Sequence, residues 1–414
     1  MIPKGLGRAV FIGLSLSALL ARANDWPQWR GPNRDDISTE TGLLEDWPAG
    51  GPKLAWKVSG IGDGFSGVAV AAGRLYTIGD QRGASFVFCL NAADGKILWA
   101  AKLGKAGALG GYGGPRSTPT VDGQLLYAVS QFGEMACFDT ATAKEQWRKE
   151  FTRDLGGTQP GWGYAESPLV DGDVVVVTPG GKQGALAALK KETGAIIWRS
   201  KEFTDAAQYS SLVPAELGAV KQYVQLTAAS VAGISAADGR LLWSAPRRGQ
   251  TAVIPTPLVH DSFVYVTSGY GVGCNLFQVT PQNGKFSVKE VYANKAIVNH
   301  HGGVVLVGDC VYGFSDSKGW TCQDFRSGQV YWQDKEKLGK GSLSCAGDRL
   351  YLREESKPGT VVLLEPTKAG YKEHGRFAPA YHSEEQSWTH PVVANGRLYL
   401  RDQDVLMCYQ VKQD

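Results

Sequence analysis

The chain has 414 residues, with 43 Lys and Arg against 40 Asp and Glu, so its net charge is close to neutral. That balance excludes an extended nucleic-acid footprint, which needs a strongly basic face. Gly is abundant at 53 residues, and valine, leucine and tyrosine runs end in Asp-Gly or Asn-Gly turns, so an almost all-β protein is expected.

Residues 1–23 read as a secretory signal. Lys4 and Arg8 give a positive start, Ala9 to Leu20 is an apolar run, and Ala21-Arg22-Ala23 fits a small-x-small cleavage site. The apolar run is too short to span a bilayer. An exported protein, periplasmic or extracellular, is expected, and no further hydrophobic span occurs. Loss of Lys4, Arg8 and Arg22 with the signal leaves equal numbers of basic and acidic residues. Residues 24–52 come next as an extended arm. Asp25-Trp26-Pro27-Gln28-Trp29-Arg30-Gly31-Pro32-Asn33 is too rich in proline and glycine for regular structure, and its tryptophans need burial. The arm is expected to pack against the side or face of the domain formed by residues 53–414.

From residue 53 to 414 the chain repeats. Trp56, Trp99, Trp147, Trp198, Trp243 and Trp332 recur at 43 to 51 residues, with one gap of 89 that holds about two periods. Most close a similar phrase, such as Asp94-Gly95-Lys96-Ile97-Leu98-Trp99 and Thr193-Gly194-Ala195-Ile196-Ile197-Trp198. A period of about 40 to 50 residues in a β-rich chain indicates a propeller with one four-stranded blade per repeat. Innermost strands open at Phe65-Ser66, Ser117-Thr118, Glu166-Ser167, Tyr209-Ser210, Pro255-Thr256, His301-Gly302, Gly341-Ser342 and Thr389-His390, which makes eight blades. The last blade lacks a strand, and the orphan strand Lys53 to Val58 carries an outer-strand tryptophan. The two chain ends are therefore expected to share one blade, which removes open sheet edges. Tyr292 and Phe377 stand where blades five and seven lack tryptophan.

Seven cysteines in an exported chain invite disulfides, yet Cys89, Cys137, Cys322 and Cys408 share one column of the repeat with Ala188 and Gly233. This reads as a column for small residues. Cys310 and Cys322 remain the one pair placed to bridge across a hairpin.

Propeller sites lie where innermost strands begin. The register places Phe65, Arg116, Glu166, His301, Lys340 and Trp388 at that mouth, with His300, Tyr164, Gln208 and His390 close by. The loops Lys102–Pro115 and Thr152–Gly163 can fold over it. His300, His301 and His390 with Glu166 are the residue types of a transition-metal site, but neighbours on a strand point to opposite faces, so they read as channel lining and no metal is assigned. Arg116 and Lys340 suit an acidic ligand, and Trp388 and Trp162 suit a flat ring or a sugar.

The phrase Ala-x-Asp-Gly-Lys-x-x-Trp, in Ala92–Trp99 and again in Ala236–Trp243, resembles the repeat of the PQQ-type β-propellers. These include quinoprotein alcohol dehydrogenases and the outer-membrane assembly lipoprotein of the Bam complex. The resemblance implies an eight-bladed ring whose tryptophans dock neighbouring blades, and for the dehydrogenases pyrroloquinoline quinone with calcium. This chain departs from that enzyme pattern. No two cysteines are adjacent, and Gly180-Gly181-Lys182-Gln183-Gly184 offers no carboxylate where such enzymes can carry a calcium-binding Glu. Asn24, not cysteine, comes after Ala23, so the lipoprotein tether is also missing. The expectation is a secreted, monomeric scaffold that binds a ligand or protein partner on its channel face, with catalytic residues unassigned. The alternative is a divergent quinone-dependent dehydrogenase. There Glu166 would hold the cation, Arg116 or Lys340 the quinone carboxylates, and Trp388 would stack beneath the ring.

Overall fold

A computed structural model describes residues 24–282 and 285–413; the signal segment lies outside them. Eight antiparallel sheets form an eight-bladed β-propeller. Blade one runs through Ala69–Ala71, Arg74–Gln81, Ala84–Asn91 and Ile97–Lys105, from the channel outwards. Six further blades repeat this order. Blade eight takes Val392–Ala394, Arg397–Asp402 and Val405–Gln410 from the C-terminal end, and its outer strand is Leu54–Ser59. Trp56 lies opposite Cys408 and Lys57 opposite Met407, so the ring is closed by both ends of the chain.

The repeated phrase works as a clasp between blades. The indole N–H donates to the turn of the next blade: Trp56 to the Ala92 carbonyl at 3.1 Å, Trp99 to Thr140 at 3.1 Å, Trp147 to Lys191 at 2.8 Å and Trp198 to Ala236 at 3.1 Å. Trp332 donates to Thr367 at 2.7 Å, and Tyr292 takes over in blade five, donating to Phe325 at 2.9 Å. Trp243 is the exception: it bonds Gln222 within its own blade at 2.5 Å, because blade five turns through a long hairpin with no matching phrase. Blade seven solves the missing tryptophan differently. Trp47 of the arm packs on Phe377, with ring centroids 5.2 Å apart, and on Tyr351.

Across the third and fourth strands Cys89 faces Trp99, Cys137 faces Trp147, Cys322 faces Trp332, and Ala188 and Gly233 face Trp198 and Trp243. A bulge succeeds each of these pairs, which bends the outer strand and deepens its twist. All seven cysteines are free and buried. The Cys310–Cys322 bridge is not formed: the hairpin register sets Tyr312 opposite Cys322 and Asp324 opposite Cys310.

The second half of the arm packs against blade seven through Trp47, but its first half, residues 24–38, does not lie on the outside. It crosses the channel and touches the inner edge of every blade. Trp26 exchanges two backbone hydrogen bonds with Val70, and Pro27 accepts from Val121 at 2.8 Å. Arg34 donates to the carbonyls of Ser167 at 2.9 Å, Leu212 at 2.8 Å and Pro168. Trp29 donates to Thr256 at 3.0 Å and Arg30 to Val304 at 2.7 Å. Ile37–Ser38 runs parallel to Cys345–Ala346, and Asp36 binds His390 at 2.9 Å. Arg30 and Arg34 are fully buried. Their charge is tolerated because backbone carbonyls take most of their N–H groups and Asp36 forms an ion pair with Arg30 at 3.0 Å.

Candidate aromatic mouth of the channel

Above this crossing a cavity of about 330 Å³ opens at the end where the innermost strands begin. Trp29 forms part of its floor, resting on His390 with centroids 4.6 Å apart. Residues at the openings of the inner strands, such as Phe65, Tyr209 and Trp388, give the walls their aromatic rings, and loops add Tyr112, Trp162 and Tyr270. Phe65 lies 4.5 Å from Trp388, and Tyr112 meets Trp388 edge-on at 4.8 Å. Trp162 lies beyond Tyr112 at 6.5 Å. The two long loops do cover the mouth: Tyr112 sits on a short hairpin, Ala108–Leu109 with Tyr112–Gly113, and Trp162 comes after the helical turn Phe151–Leu155.

Arg116 is the cation of the lining. Its guanidinium lies 5.6 Å from the Tyr209 ring and donates to the carbonyls of Tyr112 at 3.1 Å and Trp162 at 3.3 Å. Burial lowers its pKa, yet an arginine stays protonated at neutral pH.

His300 and His301 precede the inner strand of blade six in an irregular bend, so strand alternation does not separate them and both line the cavity. His300 accepts from Lys340 at Nδ1, 2.5 Å away, and its Nε2 meets the Tyr270 hydroxyl at 2.8 Å. Burial, then His301 and Lys340, push its pKa down to about 4. His301 places Nε2 2.6 Å from Glu355, and Trp388 donates to the same carboxylate oxygen at 2.9 Å. Burial raises the Glu355 pKa, but the His301 contact, Lys340 and Trp388 outweigh it and hold the group below the usual glutamate value. Burial depresses His301 in turn.

Of the residues expected at the mouth, Phe65, Arg116, His300, His301, Trp388 and His390 meet there. Glu166, Tyr164, Lys340 and Gln208 do not. Glu166 is buried and turned into the blade, accepting from the Thr178 backbone and hydroxyl at 2.6 and 2.9 Å and from Leu212 at 3.3 Å. Burial raises its pKa to about 7 against those bonds and the charge of Arg34. Tyr164 packs edge-on against Phe151, 4.9 Å away, and donates to Pro179. Lys340 stands behind His300, next to Asp316 at 3.4 Å. Gln208 accepts from Val253 instead of lining the cavity. Sequence reasoning missed Trp29, Tyr209, Tyr270 and Glu355. Tyr209 had a signal, since it opens its blade as Phe65 does.

The donors at the mouth do not fit a quinone held by calcium. Calcium takes about six to eight oxygen ligands, whereas the lining offers imidazole, indole, phenol, the hydroxyls of Ser167, Ser211 and Thr251 and one guanidinium, but, among the described residues, no carboxylate. Behind the lining, Glu355 Oε2 faces the His301 imidazole and the Trp388 indole, and Asp36 Oδ2 faces the His390 imidazole and the Arg30 guanidinium. Among the described residues no group of three or more His, Cys, Asp or Glu is placed to hold a metal ion. No described helix is long and apolar enough to cross a membrane.

A family model described as outer membrane protein assembly factor BamB matches residues 83–334, more than half of the chain. BamB from Moraxella catarrhalis has a similar structure, with a TM-score of 0.62 at 17% identity over 87% of this chain and 98% of that one. The quinohemoprotein alcohol dehydrogenase of Comamonas testosteroni gives 0.65 at 11% identity over 96% and 82%. The computationally designed Ika8 protein gives 0.62 at 8% identity over 87% and 100%. At these identities the likeness concerns the fold alone. No curated protein matches the chain.

Proposed function

The chain belongs to the family described as outer membrane protein assembly factor BamB, and from that premise we propose that it is a binding scaffold whose aromatic mouth takes a small ring-shaped ligand with one anionic group. The observation that carries this reading is a cavity of about 330 Å³ walled by Phe65, Tyr112, Trp162 and Trp388, with Arg116 as its cation. Small-molecule sites are concave and mostly apolar, with a few placed polar groups. Stacking holds the ring, and the partly desolvated guanidinium holds the charge. Quinone catalysis does not form part of this reading.

Anilinonaphthalene sulfonate, a flat anion, is the test probe. One saturable site is expected by fluorescence, weakened about tenfold by Trp388→Ala and by Arg116→Gln, the loss of one good contact each. No saturable site, or unchanged binding in both variants, would contradict the reading. The family description favours a protein partner as a second reading, with the ring as its platform. Export is proposed from residues 1–23. Mass spectrometry of the secreted protein should find Asn24 at its N-terminus, and a retained Met1 would contradict cleavage.

A further inference from the structure

Blade five places a tyrosine where tyrosine is costly. Tyr270 and Gly271 are the central residues of the turn between the strands Phe263–Ser268 and Gly273–Gln282. The Val272 N–H closes that turn by donating to the Gly269 carbonyl at 3.2 Å. The φ angles of Tyr270 and Gly271 are 56° and 78°, the left-handed pair that favours Asn-Gly. A bulky residue at positive φ is strained, and such strain collects at ligand sites. Here it sets the Tyr270 ring at the mouth, which it lines while 39% exposed. Gly269 lets the turn rest on His300: a Cβ there would stand 2.7 Å from His300 Cα.

The groups behind Tyr270 fix where its hydrogen goes. Lys340 is paired with Asp316 at 3.4 Å, and an ammonium only donates. It donates to His300 Nδ1, so that nitrogen carries the lone pair. Burial keeps the ring neutral at neutral pH, which leaves the imidazole hydrogen on Nε2. Nε2 therefore donates to the Tyr270 oxygen, 2.8 Å away. The hydroxyl hydrogen of Tyr270 has no acceptor on His300, and the bond between the two residues is exposed, so that hydrogen is open to a ligand.

Arg116 lines the same cavity. Two of its N–H groups go to the Tyr112 and Trp162 carbonyls, and a guanidinium has five in a planar fork, so others remain for an anion. The mouth thus offers one cationic and one neutral donor between aromatic walls. We propose that Tyr270 is the specificity-determining donor of the mouth, and that the ligand is a ring bearing a carboxylate for Arg116 and a carbonyl oxygen for the Tyr270 hydroxyl. This rests on the ligand-site reading above and names the ligand's second group. Ketones and amides share this acceptor chemistry. His300 and Lys340 are positioning residues: they hold the Tyr270 hydrogen outward.

Calorimetric titration at neutral pH with substituted benzoates tests it. Acetylbenzoate and carbamoylbenzoate, each as meta and para isomers, are compared with the isopropenylbenzoate of the same pattern, which keeps the shape without the acceptor. The wild type is expected to bind an acetyl or carbamoyl isomer about tenfold tighter than its isopropenyl match, the worth of one hydrogen bond. The tighter of the two identifies a ketone or an amide source. Tyr270→Phe should bring the preference to within about twofold. Lys340→Met lets Nδ1 hold the imidazole hydrogen, so Nε2 accepts from Tyr270 and the preference should fall to within about threefold. Lys340→Arg keeps the donor and the preference. No preference in the wild type, or the full preference kept by Tyr270→Phe or by Lys340→Met, overturns the proposal. Saturable binding of the sulfonate dye in the same preparation separates that failure from failure of the ligand site itself.

Discussion

Gly194 lies flat against the indole of Trp147: a Cβ on the glycine would stand 2.7 Å from Trp147 Cε3. The same relation joins Gly95 to Trp56 and Gly239 to Trp198. The turn of one blade and the tryptophan of the blade before it are thus one unit, which is why the phrase recurs intact. Gly194 has φ of 69°, so glycine is also required by the backbone. Gly194→Ala should cost about 1 to 2 kcal/mol for the left-handed conformation alone, with the indole displaced in addition. Trp147→Ala should cost about 3 to 5 kcal/mol. Urea unfolding measures both, and unchanged binding of the sulfonate dye by the folded variants would place the clasp apart from the mouth.

Arg34 ties the arm to blades three and four through the Ser167, Pro168 and Leu212 carbonyls. Arg34→Met keeps the apolar stem and removes every one of these donors. Thr120 still donates to Pro168, so the Ser167 and Leu212 carbonyls lose their donor; at about 1 to 3 kcal/mol for each, a loss of at least about 2 kcal/mol is expected. A variant as stable as the wild type would mean that the arm does not thread the channel.

Glu166 has a folded pKa of about 7, raised by burial from an ordinary 4.5. Between those values the native state holds more protons than the unfolded chain, so this group's contribution to stability falls as pH rises through that window. The full change is on the order of 3 kcal/mol. Glu166→Gln cannot ionise and should flatten this component, seen as a smaller drop in urea midpoint between pH 4.5 and 7. Equal slopes in both proteins would contradict the assignment.

His300 works in the opposite sense. Its folded pKa of about 4 lies below the ordinary 6.5, so the unfolded chain binds the extra proton and its contribution is lost as pH falls from 6.5 towards 4. Histidine-selective NMR titration should find the His300 ring neutral at about pH 6, well above its folded pKa. An imidazole half-protonated near 6.5 would contradict its burial beside His301 and Lys340.

The ring itself was legible because its clasp is local: Trp, Gly and the small residue opposite Trp fall at fixed offsets, and closure is implied by an orphan strand carrying Trp56. The path of the arm was not. Arg30 and Arg34 bind backbone carbonyls of the blades, which carry no side-chain signature and lie more than 130 residues away. At the mouth, counting residues placed Glu166 and Lys340 correctly along the chain but not in direction. Glu166 turns inward to Thr178, and Lys340 is screened by His300. Trp47 drew no reading from the sequence; that it replaces the missing blade-seven clasp depends on Phe377.

A crystal structure of the protein grown with anilinonaphthalene sulfonate tests the aromatic mouth as a binding site most directly. The naphthalene ring is expected between Trp388, Tyr112 and Trp162, with its sulfonate on Arg116 and Trp29 beneath it. Dye bound instead on the exposed outer strands near Leu98 or Ile197, with the mouth empty or the arm outside the channel, would contradict it.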